Sequence, residues 1–200
     1  APRRFVFPAG TQMAPGTYLR VICDPNATNT GPLINTNFAL KANGGGVYLF
    51  ASLANGSTNL DAIVYGIQIP DYSIGRVPLG STNWTLTLPT PASANLALSL
   101  GNAGVLRVNE WMAAPASGDD WFELYNPGSE PVALGGLHLS DDISPAGLVK
   151  YTPVPALSFI GVNTNGYLKI QADDNAASGA DQVAFKLSAG HLPAESRTKI

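Results

Sequence analysis

The sequence has little cysteine, little charge and almost no helical periodicity. Its single cysteine, Cys23, excludes an internal disulfide. Cys23 ends the apolar run 18–23, and we interpret it as a small buried hydrophobe. Charged residues make up only 12% of the chain, which also contains 21 glycines and 16 prolines. This composition is too apolar for a disordered chain and too rich in turn formers for a helical one.

Long apolar runs and basic stripes are also missing, so we expect neither a membrane span nor nucleic-acid binding. The net charge of −3 divides into +2 for residues 1–100 and −5 for residues 101–200. Abundant Asn, Ser and Thr are typical of bacterial secreted and surface modules. We therefore expect a parent protein that is secreted or on the cell surface. The printed chain contains no signal peptide, which predicts an excised or truncated piece of that parent.

Short apolar or alternating runs recur about every ten residues, separated by Gly, Pro, Asn and Asp. This pattern predicts strands and turns, and the spacing favours a β-sandwich. The predicted strands cover residues 5–7, 18–23, 47–52, 62–67, 84–88, 105–112, 121–126, 132–140, 149–152, 167–172 and 183–187.

The middle part of this pattern occurs twice. Residues 16–24 (GTYLRVICD) parallel residues 165–173 (NGYLKIQAD), and residues 38–40 (FAL) parallel residues 185–187 (FKL). Residues 105–145 have no earlier copy, and residues 45–95 have no later one. The sequence therefore reads as the later part of one domain followed by the earlier part of a second.

Two runs carry a family resemblance. Residues 120–128 (DWFELYNPG) and 132–142 (VALGGLHLSDD) resemble the signature of the lamin-tail domain family, although Leu137 stands where the family often has an aromatic residue. Residues 60–66 (LDAIVYG) and 73–76 (SIGR) resemble later strands of the same domain. The resemblance implies an immunoglobulin-like β-sandwich and a non-catalytic module of large bacterial secreted proteins.

The resemblance also predicts the domain organisation. Residues 1–95 would be the C-terminal part of a first domain, 96–104 a linker, 105–190 the N-terminal part of a second domain, and 191–200 a tail. Half a sandwich leaves strand edges unpaired and one apolar face open, which is unfavourable. We therefore predict that the two parts complete one composite sandwich, or a sandwich that is strand-exchanged in a homodimer.

Three acidic pairs are the main candidate for an ion site. If successive strands alternate in direction, all three pairs meet at one end of the sandwich, where oxygen ligands would favour Ca²⁺. The alternative is that these aspartates bond the backbone in ordinary turns. The six predicted ligands are Asp119, Asp120, Asp141, Asp142, Asp173 and Asp174.

Catalytic candidates are few. His138 lies three residues before Asp141, and a carboxylate neighbour suits a metal or acid–base role. Glu110 and Glu123 would face each other if their strands form a hairpin, as paired carboxylates do in glycoside hydrolysis. For each of these, a structural role is the simpler interpretation. The Ser188–His191 pair is interpreted as an accident of loop sequence.

We therefore predict a non-catalytic structural, adhesion or binding module, whose ligand would be a surface glycan or a protein. One alternative is a weak metal-assisted hydrolase of phosphoesters or esters that uses the acidic end with His138. The other is a carbohydrate-binding accessory module, in which Trp84, Trp111 or Trp121 stacks on sugar rings.

Overall fold

The computed structural model describes residues 5–26 and 33–187. The chain forms two compact units, and each unit is made of two separate stretches of sequence. Unit 1 comprises residues 1–41 and 73–98, and unit 2 comprises residues 42–72 and 99–200. The units are therefore interleaved along the chain. The predicted boundary at 96–104 rests on the family resemblance and stays a prediction; within it, Leu96–Ala97 forms a short strand.

The chain is all-β, as predicted. Within the described residues, the helical pieces are five short 3-10 turns of three residues each. The strands are β1 (Val21–Ile22), β2 (Ile34–Asn35), β3 (Asn43–Phe50), β4 (Asn59–Ile67), β5 (Ser73–Arg76), β6 (Trp84–Leu88), β7 (Leu96–Ala97), β8 (Arg107–Met112), β9 (Asp120–Tyr125), β10 (Val132–Ala133), β11 (Phe159–Ile160) and β12 (Tyr167–Ala172).

Unit 1 contains two small sheets. β1 and β2 form a parallel pair, and β5, β6 and β7 form an antiparallel sheet in that order. The centre of the second sheet is β6, where Leu86 and Thr87 are fully buried. The Thr87 hydroxyl shares a 2.8 Å hydrogen bond with the Ser73 hydroxyl on β5, which satisfies both polar groups.

Unit 2 is built around one apolar core. Its main sheet is antiparallel with the order β12–β9–β8. Alternate residues of β9 and β12 point into the core, because side chains on a strand alternate between its two faces. They meet apolar residues from β4, β10, β11 and the segment after β12. The buried core residues are Ile67, Phe122, Leu124, Val132, Leu134, Ile160, Ile170, Ala172, Val183 and Phe185.

The end of β4 is held in unit 2 by buried hydrogen bonds to a segment about ninety residues further along the chain. The Gly66 N–H donates to the Ala156 carbonyl (3.1 Å), and the Ile67 N–H donates to the buried Ser158 hydroxyl (3.1 Å). Gln68 Nε2 donates to the Leu157 carbonyl (2.8 Å). Residues 42–72 therefore pack with residues 99–187 as one unit. Of the predicted first part, residues 42–72 join unit 2, whereas residues 1–41 and 73–98 form unit 1. The composite sandwich, like the lamin-tail and immunoglobulin-like identity of its parts, stays a prediction.

Several strand predictions were correct. Trp84–Leu88 and Tyr167–Ala172 have the predicted bounds, and β9 begins and ends within one residue of its prediction. The first copy of the repeat behaves differently from the second. Only Val21–Ile22 of residues 18–23 forms a strand, whereas the second copy forms the whole of β12.

Other strand predictions were wrong. Residues 5–7, 149–152 and 183–187 contain no strand, and Val149 is the last residue of a 3-10 turn. The strand predicted at 132–140 ends at Ala133. It ends there because Gly135 and Gly136 form a turn, in which Gly136 adopts a φ of 86° and the Leu137 N–H donates to the Leu134 carbonyl. Residues 188–190 and the predicted tail lie outside the described residues.

Candidate binding face of the three-stranded sheet

Two of the three acidic pairs lie at the same end of the main sheet. Asp119 and Asp120 stand at the start of β9, while Asp173 and Asp174 follow the end of β12. Ala172 is directly opposite Asp120 in the register of β12 with β9. The two acidic pairs therefore lie at the same end of this antiparallel ladder. The Asp173 carboxylate accepts a hydrogen bond from the Asn175 N–H (3.0 Å), which is an ordinary turn contact.

The third pair is held by its own loop. Asp141 accepts a hydrogen bond from the Tyr151 hydroxyl (3.0 Å), and Asp142 accepts one from the Ser144 N–H (2.8 Å). The pKa of Lys150 is raised, first by its side-chain hydrogen bond with Tyr151 and further by the charges of Asp141 and Asp142. A cation and a hydroxyl of the chain itself therefore lie beside these carboxylates.

In the described part of the chain, no group of three or more His, Cys, Asp or Glu side chains is placed to hold a metal ion. Calcium binding by the six aspartates therefore stays a prediction from the sequence. Calorimetric titration with Ca²⁺ tests it. Heat of binding and a raised Tm would support the site, and the absence of both would contradict it.

His138 lies outside the strands of unit 2. It is exposed and stands between the half-buried residues Leu137 and Leu139. The prediction that it lies on a strand was wrong, because the strand ends before the Gly135–Gly136 turn. His191 and Ser188 lie outside the described residues.

Glu110 and Glu123 are directly opposite each other on β8 and β9. Their strands form the antiparallel pair on which this prediction depended. Asn109 Nδ2 donates a 2.7 Å hydrogen bond to Glu123 Oε1. On its other side, Glu123 is opposite Lys169 of β12. The carboxylate of Glu123 thus has an amide donor and a cationic neighbour, which suits a structural or ligand-binding role.

Glu110, Glu123 and Lys169 form a charged row across the three strands. Aromatic rings flank this row on the same side of the sheet. The ammonium of Lys169 lies 5.0 Å from the centre of the Trp121 ring, within cation–π range. The rings of Tyr125 and Tyr167 stack with centroids 4.7 Å apart. The proximity of Tyr125 raises the pKa of Tyr167, since a second phenolate beside the first is unfavourable.

We call this side of the sheet the outer face. Its opposite side carries core residues of unit 2, so the backbone beneath the outer face is backed by close packing. The outer-face residues are Arg107, Glu110, Met112, Trp121, Glu123, Tyr125, Tyr167, Lys169 and Gln171.

The other two tryptophans differ in their surroundings. Trp84 is half-buried in unit 1, with the Arg76 guanidinium 4.4 Å from its ring centre. Arg76 Nη1 also donates to the Ser81 carbonyl (2.7 Å), so this pair is part of the local structure. Trp111 on β8 is 68% exposed.

A shallow cavity of about 80 Å³ lies in unit 2, with Tyr151, Pro153 and Val183 in its lining. Pockets that enclose small organic ligands are commonly ~300 Å³ or larger. The outer face is therefore a more suitable surface for an extended ligand.

Comparison with protein-family models, with curated proteins and with solved structures finds no match. The lamin-tail resemblance accordingly stays an expectation from the sequence. Among residues 5–26 and 33–187, no helix is long and apolar enough to cross a membrane.

Sequence reasoning identified some outer-face residues but not the face itself. The alternation of Trp121, Glu123 and Tyr125 is visible in the sequence. The role of Lys169 was missed, since it depends on the register between β9 and β12. The cross-strand stacking of Tyr125 on Tyr167 carried no local signal either.

Proposed function

We propose that this chain is a non-catalytic binding or adhesion module of a secreted or cell-surface bacterial protein, and that it binds through the outer face. The observation that carries the proposal is a three-stranded surface on which aromatic rings lie beside charged and amide side chains. The secreted or surface location is supported by the composition, which is low in charge and rich in Asn, Ser, Thr and Gly.

The geometry supports binding because the face is exposed and pre-organised. Tyr167 and Lys169 are exposed, while Leu168 between them is half-buried and Ile170, which follows Lys169, is buried in the core. Rigid aromatic side chains provide contact area at a small loss of conformational entropy. A ligand laid along the strands would therefore meet an ordered surface.

A glycan is the ligand class that these residues favour. Aromatic rings offer an apolar surface to the carbon face of a sugar ring. Glu110, Lys169 and Gln171 offer donors and acceptors to its hydroxyl groups. The carbohydrate-binding alternative is thus the form of the proposal that the outer face supports best.

Glycan-array screening followed by affinity electrophoresis tests the proposal. Tyr167→Ala removes an outer-face ring that is 49% exposed, and we expect at least about tenfold weaker binding. Tyr48→Ala on β3 is the matched control, since Tyr48 is 53% exposed away from the outer face. No glycan bound by the unmodified chain, or equal loss in both variants, would contradict the proposal.

A catalytic assay separates this proposal from the hydrolase alternative. Activated phosphoesters and esters would be tested on metal-stripped and metal-reloaded protein. Turnover that requires the metal, or that disappears in Glu110→Gln or His138→Ala, would replace the binding proposal with catalysis.

We also infer that the surplus repeat copy, residues 16–24, is the segment available for strand exchange in a homodimer. Tyr18 and Leu19 in this copy are exposed, and only Val21–Ile22 is paired. Sedimentation of a chain with Tyr18→Lys tests the inference. Dissociation of the dimer would support exchange through this segment, and an unchanged dimer would contradict it.

A further inference from the structure

β8 is an edge strand of the main sheet. The strand order is β12–β9–β8, and within the described residues β8 pairs only with β9. All six residues of β8 are exposed. A strand edge of this length is a template on which another strand can pair.

The core side of β8 is also uncovered. Val108 is opposite the buried Leu124, and Trp111 is opposite the buried Phe122, so both side chains lie on the core side of the sheet. Nevertheless, the Val108 side chain is 64% exposed and the Trp111 side chain is 68% exposed. Among the described residues, β8 therefore presents an apolar pair beside a backbone edge that no second strand pairs.

We propose that a second copy of the chain covers this edge. The two β8 strands pair antiparallel about a twofold axis, and the two three-stranded sheets become one sheet of six strands. This is a contact between intact chains, so it differs from strand exchange through residues 16–24.

The order of residues along β8 supports this pairing. An irregularity between Val108 and Glu110 leaves Asn109 without a cross-strand partner, and its side chain turns to Glu123 on the outer face. Along β8 the faces therefore run outer, core, outer, outer, core, outer. This pattern reads the same in both directions.

An antiparallel ladder requires paired residues to share a face. In the register that pairs all six residues, Val108 of each copy is opposite Trp111 of the other. Arg107 is opposite Met112, and Asn109 is opposite Glu110. Every pair shares a face, and the apolar residues meet each other.

Charge also favours this register. Glu110 already has a like charge opposite it in its own chain, Glu123. In the full register Glu110 meets the Asn109 amide of the second copy, whereas a register centred on residue 110 would bring two more carboxylates together. Like charges directly opposite are destabilising in a sheet.

The interface is small, so we expect a weak and reversible dimer. A tryptophan side chain can bury up to ~250 Å², and Trp111 is the largest apolar group on the edge. Interfaces at the small end of the usual range belong to transient complexes. A dissociation constant between the micromolar and the millimolar range is expected.

Sedimentation velocity over a concentration series tests the interface on the full chain. Val108→Lys places a charge on the core side of the edge, and we expect the dissociation constant to rise at least about tenfold. Val64→Lys on β4 is the matched control, since Val64 is 59% exposed on another strand. A monomer at all concentrations, or equal effects of both substitutions, would overturn the proposal.

Cross-linking tests the register. In a Cys23→Ser background, the double variant Arg107→Cys and Met112→Cys places two cysteines opposite each other across the twofold axis. Opposite Cα atoms in a ladder are ~5 Å apart, which a disulfide can span. Mild oxidation should therefore give a covalent dimer.

Each single cysteine variant is the control. In the full register, equal positions of the two copies are offset by five residues, or ~17 Å along the strands, too far for a disulfide. Dimers from the double variant alone would support the register. Equal cross-linking by a single variant, or none by the double variant, would overturn it.

Discussion

Gly66→Ala tests the packing of β4 against the segment 155–158. Gly66 is buried, and a Cβ atom at this position would overlap the Ser158 hydroxyl and lie 3.2 Å from Pro155 Cβ. The Ser158 side chain cannot move without cost, because it accepts from the Ile67 N–H and donates to the Pro155 carbonyl (2.7 Å).

The magnitude follows from two effects. Inserting a methyl group into a packed core costs about 1–3 kcal/mol, and leaving the buried Ile67 N–H without its acceptor costs a similar amount. We therefore expect Gly66→Ala to lower the free energy of unfolding of unit 2 by roughly 2–5 kcal/mol. Urea denaturation followed by tryptophan fluorescence and circular dichroism measures this change.

Two further variants make the test specific. Ser158→Gly removes the obstructing side chain, so the double variant should lose less stability than the two single variants together, with a coupling of more than ~1 kcal/mol. Gly101→Ala is the control, because its Cβ would meet its nearest neighbours at an ordinary 3.4 Å. An unchanged stability in Gly66→Ala, or strictly additive effects, would refute the proposed packing.

Two other predictions concern the main sheet. Asn126 is buried, and its Nδ2 donates to the Gly161 carbonyl (2.8 Å) and the Glu130 carbonyl (2.9 Å). Asn126→Ala should therefore lower the free energy of unfolding, measured by urea titration, by about 2–4 kcal/mol. A loss below ~0.5 kcal/mol would contradict this prediction. Tyr125→Phe should return the pKa of Tyr167 towards 10.0 in an ultraviolet titration of the phenolates, because Tyr125 is the main cause of its raised pKa. Since the folded-state pKa of Tyr167 is above the unfolded value, its contribution to stability is present below about pH 10 and is lost as the pH rises through the folded-state pKa. An unchanged titration in Tyr125→Phe would contradict the assignment.

Local alternation of apolar and polar residues was enough to predict the strands that also have a partner strand beside them in the fold. β6 and β12 alternate apolar and polar residues, and both have the predicted bounds. Residues 16–24 share much of the β12 sequence but form only a two-residue strand. The difference is that β12 has β9 beside it along its whole length. Tertiary pairing therefore decides which copy becomes a full strand.

The candidate site was predictable only in part, for a similar reason. The opposition of Glu110 and Glu123 follows from a hairpin between neighbouring strands, which a sequence can suggest. The contact of Lys169 with Trp121 depends on pairing across forty-eight residues, and the Gly66–Ser158 packing depends on pairing across ninety-two. Nothing in the nearby sequence encodes such contacts, because they arise from loop closure and core packing.

Native-state hydrogen exchange shows whether residues 42–72 and 99–187 unfold as one cooperative unit. The amides of Gly66 and Ile67 are bonded to Ala156 and Ser158, and the Leu134 amide is bonded to the Ser158 carbonyl. We expect all three amides to exchange with the same free energy of opening, equal to that of global unfolding of unit 2. Exchange of Gly66 and Ile67 with a much smaller free energy of opening, while Leu134 stays protected, would show that the two stretches do not unfold together.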